Sequence, residues 1–442
     1  MTASHRDDPG AARWRQLAAC IIAMLAIANL QYAWTLFTTP LTQSLHVTLA
    51  AVQWAFSLFV LTQTWLVPIN AYLVDRFGPR VVVTAAGVLV GVGWVGAGLA
   101  KSLLTLYVAY AIGGIGAGAV YGATIGIAMK WFPDRRGLCV GAVAGSYGFG
   151  TALTVLPISH MIGTSGYQSA FITWGAIQGV VVMIAAQFLR MPPAGWLPVN
   201  WETIKTRVQR KVQQSLRDYT TREMLQSGSF YLLYLMMTLV TFSGLMVTAQ
   251  LRPIAENYGF DKYVLFSGMT VLNLTLLLNQ VLNGSARPFF GWVSDHLGRY
   301  DTMAIVFILE AVAITALTLL VDHPVWFVIL SGLMFFAWGD IYSLFPSAIA
   351  DIFGGKYATT NYGIQYTSKG VGSILAGPCA AWLMAATGSW IPVFWAAVAC
   401  NVTAAALALL WLKPRVTRLV KQQTVERKSD ETTAASQPAT AE

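Results

Sequence analysis

The chain has 442 residues, of which 56% are hydrophobic and only 11% are charged, whereas an ordinary soluble domain carries roughly 25% charged residues. This composition excludes a soluble globular protein. The formal net charge of +9 could indicate a nucleic-acid partner, but its sign has meaning only once the basic residues have been located along the chain.

Apolar segments about 20 residues long, enough to span a bilayer, recur along the whole chain. They are predicted at residues 17–38, 51–74, 81–100, 104–128, 138–162 and 168–190, and again at 226–250, 264–290, 302–321, 324–346, 361–386 and 390–412. The sequence therefore predicts an all-α membrane protein with twelve transmembrane helices in two six-helix bundles, residues 1–190 and 226–412. We expect residues 191–225 to form a cytoplasmic central loop and residues 413–442 to form a disordered cytoplasmic tail.

The basic residues are distributed unevenly between the two sides of the predicted membrane. With the N-terminus placed inside, 23 of the 28 lysines and arginines are cytoplasmic, and only Lys101, Arg252 and Lys262 are outside. This positive-inside bias predicts that both termini are cytoplasmic and makes a nucleic-acid partner unnecessary. The first segment is too long for a signal-peptide core, so we expect it to be retained. The two remaining cations, Arg287 and Lys369, fall within predicted spans.

Short motifs do not predict an enzyme. The string GVGWVG at residues 91–96 fits a dinucleotide-binding pattern, but it lies inside a predicted span with no strand before it, and close helix packing explains it. Neither H-E-x-x-H nor G-x-S-x-G occurs. The cysteines show no C-x-x-C spacing and predict neither disulfides nor a metal site: Cys20, Cys139, Cys379 and Cys400. We expect no cofactor.

The two halves contain the same segment twice. VPINAYLVDRFGPR (67–80) follows the second span and RPFFGWVSDHLGRY (287–300) follows the eighth. An offset of 220 residues aligns Pro68 with Pro288, Asp75 with Asp295 and Gly78 with Gly298. A repeat of six spans is typical of transporters that rock two bundles about a midplane site. The motifs D-R-x-G and D-x-x-G-R resemble the cytoplasmic signature of the major facilitator superfamily, which implies the major facilitator fold with pseudo-two-fold symmetry.

Two interpretations of this repeated signature are open. It can be a tight turn in which each glycine allows positive φ. The resemblance instead implies a conformational latch, whose side chains bond neighbouring helix ends in one state and release them in the other. The latch residues would be Asp75, Arg76, Gly78, Asp295, Gly298 and Arg299.

Arg287 and Lys369 each lie on a polar helical face. Lys369 shares its face with Tyr362, Gln365 and Ser373 at helical spacing. Counted from the predicted helix ends, both cations lie about 12 to 14 Å deep, close to the bilayer midplane. A cation at this depth must face water, protein or a ligand rather than lipid.

Two explanations for these cations remain open. Each can neutralise a buried acid, and Glu310 and Asp340 are available within predicted spans. Alternatively, they can face a cavity between the halves, where two positive charges favour a small dicarboxylate. Arg287 would then bind one carboxylate through its guanidinium fork, and Lys369 would meet the other as a point charge.

A narrower resemblance appears around these residues. NGSARPFFGWVSDHLGRYDTM, WGDIYSLFPS, DIFGGKYATTNYG and LQYAWTLFTTPL are similar to segments of the oxalate:formate antiporter family. The resemblance implies that Arg287 and Lys369 bind the dicarboxylate inside a cage of aromatic and amide side chains. The matching cage positions are Gln31, Tyr32, Gln53, Tyr121, Trp338 and Tyr342. Asp340 lies about 200° around the helix from Trp338, so we expect it to face away from the cage.

The function implied is secondary transport, with oxalate moving inward for formate outward by alternating access. The alternatives are a proton-coupled monocarboxylate symporter using Asp340 or Glu310, and a non-transporting membrane sensor, for which the sequence offers no sizeable output domain. The expected partners are small carboxylate anions and the lipid bilayer. We expect a multi-pass inner-membrane protein that functions as a monomer and is not an enzyme.

Overall fold

The computed structural model describes residues 9–132, 136–193, 215, 217–354 and 357–436. The N-terminal half consists of eight helices: α1 (Pro9–Ile27), α2 (Asn29–Tyr32), α3 (Thr35–Leu45), α4 (Leu49–Trp65), α5 (Val67–Phe77), α6 (Pro79–Gly98), α7 (Leu103–Trp131) and α8 (Arg136–Phe188). Helix α7 begins at a capping box in which Ser102 and Thr105 satisfy each other's backbone amides.

The C-terminal half follows the short helix α9 (Thr221–Leu225). It contains α10 (Gly228–Asn257), a hairpin of β1 (Val264–Phe266) and β2 (Met269–Thr270), and then α11 (Val271–Leu297), α12 (Arg299–Leu319), α13 (Pro324–Trp338), α14 (Ile341–Phe353), α15 (Ala358–Thr387) and α16 (Ile391–Leu407). The π-helix Ala408–Leu412 leads into α17 (Lys413–Ser436).

Nine helices of the described chain are long and apolar enough to cross a membrane, and the bent pair Leu49–Trp65 and Val67–Val74 gives a tenth crossing. Helix α8 provides two crossings, because Gly166 (φ 82°) breaks it. Helix α11 is long enough to cross, but its amide side chains and Arg287 lower its hydropathy. These helices together give the twelve crossings that the sequence predicted.

Three details differ from the sequence predictions. The eighth span was predicted from residue 264, but residues 264–270 form the hairpin, in which Gly268 has a φ of 75°, and the helix begins at Val271. The segment 191–225 contains helix α9, and residues 194–214 and 216 lie outside the described residues. The tail was expected to be disordered, whereas residues Lys413–Ser436 form helix α17; residues 437–442 lie outside the described part.

The two halves meet along helices α4 and α15 and along α8 and α11. A Cβ atom at Gly148 would lie 2.9 Å from the backbone nitrogen of Gly284, so these two helices are in backbone contact. Between α4 and α15, the Ser57 hydroxyl donates a hydrogen bond to the carbonyl oxygen of Ser373 at 2.7 Å. Because α11 and α15 carry the two intramembrane cations, this packing places both cations at the interface between the halves.

Besides the bend between α4 and α5, two spans are interrupted beside these cations. The first span is interrupted on both sides of the short helix α2, at Ala28 and at residues 33–34. The tenth span breaks between α13 and α14, at Gly339 and Asp340. Transporter sites are commonly formed by such discontinuous helices, because interrupted backbone is tolerated where it borders a binding site.

Candidate functional site

Lys369 lies in the middle of α15 and is almost fully buried, with 1% of its surface exposed. Its ammonium donates to Gln31 Oε1 at 2.9 Å, Gln63 Oε1 at 3.2 Å and the Tyr366 hydroxyl at 3.3 Å. Both amide acceptors belong to the N-terminal half. The lysine therefore crosses the interface and is held by neutral oxygen atoms.

No carboxylate of the described residues lies within ion-pair distance of Lys369 or Arg287. The two acids that could have neutralised them lie elsewhere in the C-terminal half. Glu310 accepts a hydrogen bond from Ser243 at 3.2 Å, and Asp340 is completely buried without a side-chain hydrogen-bond donor. The pairing of Lys369 or Arg287 with Glu310 or Asp340, one of the two explanations considered, does not occur in this structure.

Arg287 is equally buried and also reaches across the interface. One terminal nitrogen donates to the carbonyl oxygen of Ala144 in α8, and the other donates to Asn283 Oδ1 at 3.3 Å. Its Nε has no hydrogen-bond partner among the described residues. The guanidinium carbon lies 4.5 Å from the ring centre of Tyr342, and Lys369 Nζ lies 5.3 Å from the same centre. A single tyrosine ring thus borders both cations.

Aromatic rings from both halves surround the two cations. Tyr121 stacks on Tyr366 with ring centres 5.2 Å apart. Tyr32 packs edge-on against Trp338 at 6.4 Å, and Trp338 packs against Tyr342 at 6.0 Å. The indole edge of Trp338 lies against Gly244, where any Cβ atom would clash with it. The electron-rich ring faces stabilise the cations, and their bulk excludes water.

Several buried hydrogen-bond donors at the site lack an acceptor. Arg287 Nε, Gln31 Nε2 and the Tyr342 hydroxyl have no hydrogen-bond partner in the described part of the chain. An unsatisfied buried polar group costs about 1 to 3 kcal/mol, so such a set is stabilised by a ligand that accepts hydrogen bonds. Two positive charges with spare donors are suited to a small anion.

The structure brings together most of the residues that the sequence suggested for the site. Seven of the eight predicted binding residues lie in this cluster: Arg287, Lys369, Gln31, Tyr32, Tyr121, Trp338 and Tyr342. Gln53 lies outside it. Its side chain bonds to Trp34, to the carbonyl oxygen of Ala249 and to Gln250, and it packs on Gly377, eight residues or about 12 Å along α15 from Lys369.

Two important residues were not predicted. Gln63 accepts from Lys369 and donates to the Tyr147 hydroxyl at 2.8 Å, and Tyr147 donates to Gln31 at 3.1 Å. The repeat offset of 220 residues could have identified Gln63, because it aligns Gln63 with Asn283, whose amide oxygen accepts from Arg287. Tyr147 carries no comparable signal, since tyrosine is also common in helix packing.

The residues of the predicted latch lie at the ends of α5 and α11. Gly78 (φ 82°) and Gly298 (φ 95°) adopt the positive φ that the tight-turn interpretation requires. Arg299 forms an ion pair with Asp351 at 3.0 Å and also bonds Ser294, whereas Arg76 donates to Tyr72 at the surface. The side chains of Asp75 and Asp295 lie outside the described residues, so the latch stays a prediction.

Comparisons with known proteins agree with this architecture. The family described as Major Facilitator Superfamily matches residues 19–285 and 268–439. The chain is 35% identical over 412 residues to the oxalate:formate antiporter of Oxalobacter formigenes, covering 93% of this chain and 94% of that protein. It is 23% identical over 457 aligned residues to human monocarboxylate transporter 2, covering 98% of this chain and 92% of that protein.

A solved structure has the same fold. The proton:xylose symporter XylE superimposes with a TM-score of 0.70 at 15% sequence identity, covering 92% of this chain and 97% of that one. At this identity the likeness concerns the arrangement of the helices alone.

Proposed function

Because this chain belongs to the major facilitator superfamily and, within it, to the family of the oxalate:formate antiporter, we propose that it exchanges a small dicarboxylate, oxalate, for a monocarboxylate, formate. The observation that carries this substrate assignment is the pair of buried cations. Arg287 and Lys369 border one tyrosine ring at the interface between the halves, with no carboxylate paired to either in the described chain. A dianion has the charge that neutralises both.

Binding would replace weak contacts by stronger ones. Lys369 is held by two neutral amide oxygens, and a carboxylate in their place would add the opposite charge that those amides lack. The free Nε of Arg287 would add a donor to the second carboxylate. The rings of Tyr32, Tyr342 and Tyr366 would enclose the planar ion and disfavour longer diacids.

Obligatory exchange follows from the cost of moving unpaired charge. As the halves rock apart on one side, Lys369 loses the acceptors that Gln31 and Gln63 supply. Without a bound anion the carrier must move two like charges through a low-dielectric interface, which is strongly unfavourable. A loaded carrier moves neutralised charges instead. Oxalate inward for formate outward would carry one net negative charge inward in each cycle.

The test is counterflow in proteoliposomes. Vesicles loaded with oxalate, formate or buffer alone receive labelled oxalate outside. We expect rapid uptake into the first two sets and none above the protein-free background into the third. Equal uptake into buffer-loaded vesicles would contradict obligatory exchange, and absence of uptake into both anion-loaded sets would contradict the substrate assignment.

A second candidate, proton-coupled monocarboxylate symport, is favoured by one observation. Asp340 is completely buried with no side-chain donor to its carboxylate, and Glu310 Oε2 is also unpartnered. A buried carboxyl group without a cation is much more stable when it carries a proton. If Asp340 carries the coupling proton, an inward proton gradient should drive formate uptake into empty vesicles, and Asp340→Asn should abolish that dependence. Absence of gradient-driven uptake would eliminate this candidate.

The positive-inside bias further supports an inner-membrane location with both termini in the cytoplasm, and we propose that one chain is the functional unit. A protease site inserted between residues 194 and 214 should be cut in inverted vesicles only. Cutting in right-side-out cells would reverse the proposed orientation.

A further inference from the structure

Each half of the protein carries a groove on the membrane side that holds the chain ends. The groove of the N-terminal half, about 390 Å³, lies between α1 and the last part of α8 and is lined by residues such as Arg15, Ile22 and Phe188. The groove of the C-terminal half, about 590 Å³, lies between α10 and the segment from the π-helix into α17. In both cases the first and last spans of a six-span repeat form the walls.

The larger groove, which we term the C-terminal groove, combines an apolar wall with two arginines. It is lined by Leu232, Leu410, Trp411, Arg415, Arg418 and Leu419. Leu410 and Trp411 are 65% and 54% exposed, although they belong to a membrane span and must therefore contact lipid. They lie in the π-helix, and single π-turns within α-helices occur frequently at functional sites.

The two arginines of the C-terminal groove have no acidic partner among the described residues. Neither Arg415 nor Arg418 forms an ion pair or a hydrogen bond with a described residue, whereas neighbouring Lys413 is neutralised by Asp301 at 2.7 Å. The Arg415 guanidinium packs directly on Gly228, at the start of α10. It is therefore held at the groove rather than extended into water.

We propose that the C-terminal groove binds an anionic phospholipid, whose phosphate contacts Arg415 and Arg418 and whose acyl chain lies on Leu232, Leu410 and Trp411. A basic cluster at the end of a membrane span, above an apolar wall, is complementary to such a lipid. A soluble anion would leave the apolar wall uncovered, and a zwitterionic lipid would leave the arginines unneutralised.

The groove of the N-terminal half is an internal comparison. Its cation, Arg15, already interacts within the protein, and the residues opposite it are apolar. The two halves therefore carry similar grooves, and of these two the C-terminal groove combines an apolar wall with two arginines that pair with no described residue.

The experiment is native mass spectrometry of the full chain titrated with phosphatidylglycerol or phosphatidylcholine of identical acyl chains. We expect the unmodified protein to retain one phosphatidylglycerol preferentially. The double variant Arg415→Gln/Arg418→Gln should bind it about ten- to thirty-fold more weakly, given the usual effect of each basic residue near anionic lipid. The matched control Arg80→Gln/Arg222→Gln removes two exposed cations from the same side and should leave the preference unchanged.

A second variant separates lipid binding from simple anion binding. Leu232→Trp keeps both arginines but fills the apolar wall, and it should also abolish preferential retention. Inorganic phosphate in excess should not displace the lipid. The proposal would be overturned if the unmodified protein retained the two lipids equally, or if the two double variants lost equal affinity for phosphatidylglycerol. It would also be overturned if Leu232→Trp kept the full preference for phosphatidylglycerol. This readout requires no transport, so it stands or fails separately from oxalate exchange.

Discussion

The two halves of this protein share one architecture but contribute different chemistry to the site. Both have a glycine with positive φ directly after the second membrane span of the half, Gly78 after α5 and Gly298 after α11. At equivalent positions, Gln63 and Asn283 each accept a hydrogen bond from an intramembrane cation. Only the C-terminal half supplies the cations themselves. The two halves thus share the backbone conformation and the neutral amides, whereas the intramembrane charges belong to the C-terminal half.

The positions that lack charge in the N-terminal half serve packing instead. Val67, which aligns with Arg287, contacts the glycine surfaces at Gly122 and Gly363. Phe149, which lies near the position that aligns with Lys369, packs directly against Gly284, where a Cβ atom would approach its ring to 2.8 Å. Cations on both walls would repel each other across the interface. Charge on one wall and neutral acceptors on the other allow the halves to close.

The strongest way to break this asymmetry is to remove one cation. In Lys369→Gln, one carboxylate of oxalate is desolvated without a cationic partner. Loss of one partner from a buried pair costs about 3 to 5 kcal/mol, so oxalate affinity should fall by roughly two to three orders of magnitude. Formate needs only Arg287 and should lose less. The measurement is competition by each unlabelled anion against labelled oxalate, in this variant and in Arg287→Gln.

Lys101→Gln is the control for the removal of one positive charge away from the site, and its exchange should be normal. Full oxalate exchange by any variant that lacks Lys369 would refute the role of the lysine in binding.

A second change sharpens the comparison by moving charge into the N-terminal wall. Gln63→Glu would place a carboxylate beside Lys369 and neutralise it while the halves are closed around the site, in the way that the substrate is proposed to do. Oxalate affinity should fall about ten- to one-hundred-fold, because only Arg287 remains for a dianion. The empty carrier would no longer move two unpaired charges. Net efflux of formate into anion-free medium should therefore appear.

The control for this variant is Gln53→Glu, which changes an amide in the same helix but about 12 Å from Lys369 along the interface. Gln53→Glu should not produce net efflux of formate. If Gln63→Glu still transported only by exchange, unpaired charge would not be the cause of the coupling.

A smaller effect is expected from the aromatic part of the site. Trp338 packs between Tyr32 and Tyr342, so Trp338→Ala should open space beside the bound ion. We expect the preference for oxalate over succinate to narrow by about tenfold, which is within the range that pocket shape usually contributes. The measurement is competition by the two diacids, with thermal stability as the control for folding. Equal competition by both diacids in the unmodified protein would rule out selection by the aromatic rings.

The sequence predicted the spans and the two buried cations because both depend on strong local signals, whereas the amide and aromatic residues of the cage were assigned by resemblance. A cation inside an apolar segment is conspicuous, and the polar faces around Lys369 and Arg287 follow helical spacing. Gln53 was assigned to the cage by resemblance, and its contacts with Trp34 and Gln250 depend on tertiary packing that no local signal indicates. Gln63 was missed because its role depends on a contact with Lys369, 306 residues away, which only the packing of the halves creates.

The breaks in the helices were also beyond prediction. Asp340 was expected to point away from Trp338 on a continuous helix, but the tenth span is interrupted at Gly339 and Asp340. Gly339 lies close to the carbonyl oxygen of Asn283, so tertiary packing against α11 accompanies the break. Asp340 is nevertheless buried away from the two cations, with no ion pair to either in the described chain.

The weakest expected effect concerns the contact between the halves on the face opposite the chain ends. There, the backbone nitrogen of Arg252 donates to Thr35 and its side chain donates to the carbonyl oxygen of Leu36 at 2.6 Å. Glu256, paired with Arg252 at 2.7 Å, accepts from Thr39 at 2.6 Å. Unlike the site, this contact is partly exposed. The ion pair of Arg252 and Glu256 lies within the C-terminal half, and both side chains form hydrogen bonds with the N-terminal half.

In Arg252→Ala, the side-chain bond to the N-terminal half is lost and Glu256 loses its partner, while the backbone bond to Thr35 remains. Hydrogen bonds of this kind contribute about 0.5 to 1.5 kcal/mol each, so the state open on this face should become about three- to tenfold more populated. The apparent affinity for oxalate added on that face should rise by the same factor, since it scales with the population of the competent state. Lys262→Ala, which removes an exposed cation near the end of the same helix, should leave the affinity unchanged. An unchanged affinity in Arg252→Ala would mean that the site, with its cations on one wall and amides on the other, sets the balance between the two states by itself.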